Sequence, residues 1–103
     1  MQIDKREIES SLKSKGFYLQ TDRKHRYFHH TYKGKETGIS TYTSHGSSYK
    51  TYHENLLKEI KKQLHLDSLK QLRDLLKCPM DGFQYNEILK GKGLIREASN
   101  KGK

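Results

Sequence analysis

The chain has 103 residues, 31% of them hydrophobic, enough for one small domain with an economical core. Twenty-one Lys and Arg against twelve Asp and Glu give a net charge of +9, which favours an acidic partner: nucleic acid, an anionic surface or an acidic protein. The lone Cys78 excludes an intramolecular disulfide and a multi-cysteine zinc site, and no run approaches the roughly 20 apolar residues of a membrane span. With no apolar leader after Met1, the expectation is a soluble cytoplasmic protein without a membrane partner.

Asp4 with Glu7 reads as a capping box, and Ile8, Leu12 and the following Gly16 predict a helix from about Lys5 to Lys15. Phe17-Tyr18-Leu19-Gln20 alternates and predicts a strand; Asp22 breaks it before a second strand, His25 to Tyr32. Lys33-Gly34-Lys35 is a turn signal, and Thr37 to Thr43, rich in β-branched and aromatic residues, predicts a third strand returning antiparallel to the second. After a loop at His45-Gly46-Ser47-Ser48, Thr51 and Glu54 read as another capping box. They open a helix from about Tyr52 to Leu64 through Leu56, Leu57, Ile60 and Leu64.

Ser68 with Gln71 predicts a third helix through Leu69, Leu72, Leu75 and Leu76, stopped by Pro79. Asp81 with Gln84 predicts a fourth through Tyr85, Ile88 and Leu89. The expected architecture is an α+β, two-layer sandwich, α-β-β-β-α with a three-stranded antiparallel sheet, over residues 1–66. An appended helical pair over 67–90 packs on the same domain, and 91–103 reads as a disordered tail in which Leu94-Ile95 can dock.

Arg23-Lys24-His25-Arg26-Tyr27-Phe28-His29-His30 joins cations, imidazoles and aromatics without an acid, a composition suited to gripping a polyanion. Pairing Phe28 with Ile39 on the buried face sets a trial register in which His25 faces Tyr42, Tyr27 faces Ser40 and His29 faces Gly38. His25, Tyr27 and His29 then share the solvent face, Phe28 joins the core and His30 sits at its margin. His45 falls within roughly 5 to 10 Å of His25.

Cleavage of RNA without a metal needs a base for the 2′-hydroxyl, an acid for the leaving oxygen and cations for the phosphorane. His25 and, more weakly, His45 amid Arg23, Lys24 and Arg26 supply these groups. Further phosphate contacts are read at Lys33 and Lys35 and on the helical stripe Lys58, Lys61 and Lys62; Tyr18, Tyr27, Tyr32 and Tyr42 are candidates for base stacking. The structural alternative is a polar sheet face and a solvated helix face. His25 and His29 lie about 13 Å apart along a strand, too far to share a metal, so neither a metal site nor a cofactor is assigned. Cys78 reads as a small buried residue at a helix end without chemistry.

Leu12-Lys13-Ser14-Lys15-Gly16-Phe17, then His25-Arg26-Tyr27-Phe28, Ser44-His45-Gly46 and Leu56-Leu57-Lys58-Glu59-Ile60, in this order over residues 4–66, resemble the HicA family of toxin ribonucleases. The family reads Gly-Ser before its histidine where this chain has Arg23-Lys24. The resemblance implies a fold like the double-stranded-RNA-binding domain and metal-independent cleavage of mRNA by a histidine, here His25. It also implies neutralisation by a HicB-like antitoxin. The third and fourth helices exceed the usual family chain; for them the options are packing against the sheet edge, self-association into a homo-oligomer, or covering the surface an antitoxin would use. The alternatives are a non-catalytic RNA-binding module on the same fold and a basic protein-interaction domain.

Overall fold

The computed structural model describes residues 2–44, 51–77 and 79–95. Elements follow the order β1 (Gln2–Asp4), α1 (Lys5–Ser14), β2 (Phe17–Thr21), β3 (His25–Tyr32), β4 (Lys35–Ser44), β5 (Thr51–His53), α2 (Glu54–Gln63), α3 (Leu69–Leu76) and α4 (Gly82–Gly91). Strands β2, β3 and β4 form an antiparallel sheet in chain order. Local connections explain that order. Asp22 Oδ1 accepts from the backbone N–H groups of Lys24 and His25 at 2.8 Å, closing the first hairpin over Arg23 and Lys24. Lys33 and Gly34 both have positive φ, the requirement of the tight turn that joins β3 to β4.

The expected α+β architecture is present, with two additions. β1 and β5 pair antiparallel as a separate ribbon, Ile3 opposite Tyr52, and both of these side chains are buried. Residues 51–53 are therefore strand rather than the start of α2, which begins at Glu54 with His53 as N-cap and no side-chain cap. The same ribbon explains why the first capping box is missing. Asp4 is the N-cap of α1, but its carboxylate accepts from Thr51 Oγ1 at 3.2 Å and makes no cap bond. At α3 and α4 the expected caps are formed: Ser68 accepts from Gln71 N–H, and Asp81 and Gln84 make a reciprocal box.

One core holds all four helices against one face of the sheet. It joins Ile8 and Leu12 of α1, Phe17, Phe28 and Ile39 of the sheet, and Leu57 and Ile60 of α2 with its C-cap Leu64. Ile3 and Tyr52 of the ribbon, Leu66 between α2 and α3, Leu72, Leu75 and Leu76 of α3, Tyr85 and Leu89 of α4, and Ile95 complete it. Ile95 thus docks although it falls in the segment expected to be a tail; residues 96–103 and Cys78 lie outside the described residues.

Polar groups are matched where helices meet end-on. The last carbonyls of α3 have no partner within their own helix, and α1 supplies donors: Ser11 Oγ to Leu76 O at 2.6 Å, and the buried Lys15 ammonium to Leu75 O. Tyr85 donates its hydroxyl to Leu64 O at 2.8 Å, and burial pushes its ionisation well above the ordinary tyrosine range. Among the described residues no helix is long and apolar enough to cross a membrane.

The trial register holds only beside the turn. Thr31 pairs with Glu36 and Tyr32 with Lys35, but beyond a bulge Phe28 pairs with Thr41, not Ile39. The bulge places Thr37, Gly38 and Ile39 against His30 alone. Gly38 takes φ +85°, and Thr37 Oγ1 lies 2.9 Å from His30 Nδ1 and 3.3 Å from His30 O. A slip of two residues changes the partners but not the faces. Tyr27 therefore lies opposite Tyr42, His29 opposite Ser40 and His25 opposite Ser44, while the solvent-facing set stays as expected.

Candidate functional site

Alternation along the sheet places Tyr18 and Gln20 of β2, His25, Tyr27 and His29 of β3, and Tyr42 of β4 on the face opposite the core residues Phe17, Phe28 and His30. Their rings form a continuous row. Tyr18 and His29 are 5.2 Å apart between centroids, His29 and Tyr27 6.2 Å, Tyr27 and Tyr42 5.9 Å, and Tyr42 and His25 4.7 Å in an edge contact. Tyr18 and Tyr42 keep 40% and 44% of their surface exposed, so the row is an accessible aromatic face and not a second core.

Polar contacts orient these rings. His29 Nε2 donates to Gln20 Oε1 at 2.8 Å. The Tyr18 hydroxyl donates to the Glu36 carboxylate, and this bond, with smaller contributions from burial and the Glu36 charge, raises the Tyr18 pKa. His25 Nδ1 lies 3.5 Å from the Tyr27 hydroxyl, a long contact that leaves Nε2 available to a ligand.

At its His25 end the face meets a groove of about 200 Å³. His25 and Tyr42 form one wall; Leu56, Glu59 and Gln63 of α2 form the other. Glu59 adds a second proton-carrying group to the same cleft, so the arrangement joins an imidazole, a phenol and a carboxylate. The sequence reading missed this wall. Its signal was the i, i+3, i+7 spacing of Leu56, Glu59 and Gln63 beside the buried stripe, but assigning it needs the position of α2 against β4.

The expected cations divide into separate groups. Arg23 and Lys24 are exposed at the hairpin tip next to His25. Arg26 stands apart from this pair: alternation sends it to the helix side, where Nε bonds Glu9 Oε2 at 2.9 Å, and the same carboxylate oxygen accepts from Thr43 Oγ1 at 2.6 Å. It takes no part in the open face. Lys33 and Lys35 stand at the opposite end of β3 and β4, roughly 25 Å from His25 at about 3.3 Å per residue. Lys58, Lys61 and Lys62 occupy the far side of α2, centred about 140° around the helix from the groove wall. His45 lies outside the described residues.

His30 is a correction. Rather than sitting at the core margin it is fully buried, with Phe17 and Tyr85 rings at 5.0 and 5.2 Å. Nε2 donates to Asn86 Oδ1 at 2.9 Å while Nδ1 faces the Thr37 hydroxyl, so the neutral ring has both nitrogens matched. Burial lowers its pKa, partly offset by the Asn86 bond. Among the described residues no group of three or more His, Cys, Asp or Glu is placed to hold a metal.

No protein-family model, curated protein or solved structure matches this chain.

Proposed function

We propose that this protein binds RNA on the open face of its sheet and cleaves it at His25, as a metal-independent endoribonuclease of HicA-like type acting on mRNA. The observation that carries this reading is the position of His25. It stands where the aromatic face, the exposed Arg23–Lys24 tip and the α2 groove meet. In such a cleavage the 2′-oxygen attacks phosphorus, its proton passes to a base, the bond to the 5′-oxygen breaks, and that oxygen receives a proton from an acid. The products are a 2′,3′-cyclic phosphate and a free 5′-hydroxyl. His25 is suited to one of these transfers, and Glu59 is a proton-carrying group on the other wall. Arg23 and Lys24 provide positive charge for the phosphate. A HicB-like antitoxin would neutralise the protein by covering this same end of the sheet.

A second reading is RNA binding without cleavage, favoured by the aromatic row that continues from His25 to Tyr18, well beyond any one reacting phosphate. Incubating the purified chain with a long RNA in chelator separates the two. Cleavage is expected from the wild type and is expected to fall by about 10²- to 10⁴-fold in His25→Ala, with RNA binding retained. Equal cleavage by the variant would remove His25 from the chemistry, and binding by the wild type without cleavage would establish the second reading.

A further inference from the structure

We infer that the RNA held on this face is single-stranded and that its bases stack on the row formed by Tyr42, Tyr27, His29 and Tyr18; the inference rests on the RNA-binding reading above. An open sheet face needs polar side chains, and threonine or lysine would serve. Here it carries rings that each touch a neighbour, stepping 6.2 Å along β3 from Tyr27 to His29, close to the roughly 6.6 Å two-residue repeat of a strand. The step is therefore imposed by the backbone and presents successive ring surfaces at regular spacing. RNA-recognition sheets use such aromatics to stack two or three unpaired bases.

Charge placement argues against a duplex. Double-stranded RNA hides its base faces and is bound through phosphates and 2′-hydroxyls, which call for cations across the contact surface. Arg23 and Lys24 flank this face at one end; at the other the open face carries Glu36, paired with Thr31 and bonded to Tyr18, while Lys35 pairs with Tyr32 on the helix side and Lys33 Nζ lies 5.5 Å over the Tyr32 ring. Between them Gln20, His29, Tyr27 and Tyr42 offer ring faces and neutral polar groups. An unpaired strand meets positive charge for its phosphates at the Arg23–Lys24 end and π-surface for its bases along the row, whereas a duplex would find no cations across the contact surface and an acid, Glu36, at its far end. Stacking is tolerant of base identity, so the face accepts mixed sequence. At the His25 end the same path delivers a phosphate to the groove.

The test uses the full chain and a short 2′-O-methyl oligoribonucleotide, which lacks the 2′-hydroxyl needed for cleavage, either alone or annealed to its complement. The single strand is expected to bind about tenfold more tightly than the duplex. Tyr27→Leu and Tyr42→Leu are each expected to lose roughly tenfold in affinity for the single strand without changing the slope of affinity against salt, whereas Tyr27→Phe and Tyr42→Phe keep it. In the wild type, the ring protons of Tyr27 and Tyr42 are expected to shift upfield on adding the single strand, a readout that needs no variant to fold. Equal or tighter binding of the duplex, or absence of those ring shifts in the bound single strand, would overturn stacking and leave RNA binding intact. No binding of either form would overturn both.

Discussion

His29 and His30 are adjacent in β3 and meet opposite conditions. His29 lies among open rings and donates to Gln20 at the surface; His30 is closed into a network with Thr37 and Asn86 and packed by Phe17 and Tyr85. The same division separates His25 and Tyr27, which face solvent, from Arg26 and Phe28, which face the helices. A cluster that looks uniform in composition is thus two surfaces back to back. One is free to meet a ligand, while the other joins β3 to α1, the β4 bulge and α4.

This contrast breaks most clearly at the two histidines. His30→Ala removes a buried ring and strands Asn86 and Thr37, so urea unfolding should show a loss of about 3 kcal/mol, against about 0.5 kcal/mol or less for His29→Ala. The next largest effect belongs to the helix-facing pair. Glu9→Ala leaves Arg26 and Thr43 without their shared acceptor and should cost about 1 to 2 kcal/mol in the same measurement, with RNA affinity unchanged because Arg26 is not on the open face. Gly38→Ala should cost about 1 kcal/mol: a Cβ there meets open space, so only the positive φ of the bulge opposes it.

The contrast also predicts a dependence on pH. His30 in the folded chain has a pKa lowered from the ordinary 6.5, so between that value and the folded one the unfolded chain binds the additional proton. The stabilisation is therefore complete above about pH 6.5 and declines as pH falls toward the folded pKa, by at most about 1.4 kcal/mol per pH unit. Denaturant midpoints of wild type and His30→Ala measured from pH 7.5 to 5 should converge on the acid side; parallel curves would remove His30 as the source.

Much of the fold was legible because its signals are local. Apolar spacing placed the helices, and the turn at Lys33-Gly34 with the β-rich runs beside it placed the hairpin. The ribbon of β1 and β5 was not legible, since three-residue strands fall below any periodic signal and Thr51 with Glu54 also fits a helix cap. Register was lost at one point, the bulge, which depends on the Thr37 side chain finding His30. Alternation alone sends Arg26 inward; its grouping with His25 came from composition, which has no direction. The groove beside His25 and the burial of His30 depend on α2 and on Asn86 of α4, partners remote in the chain, so no local pattern carries them.

The β1–β5 ribbon also bears on how the molecule assembles. It joins residues 2–4 to residues 51–53 by only three pairs of residues, whereas both hairpins of the main sheet close over two-residue turns. Bringing distant ends together carries a loop-closure entropy that the hairpins largely avoid, and burial of Ile3 and Tyr52 in the core offsets it. It ends directly at the first residues of α1 and α2. The ribbon therefore ties the starts of both helices to one another, and through Tyr52, which also lines the groove, it anchors the α2 wall beside His25 to the N-terminus of the chain.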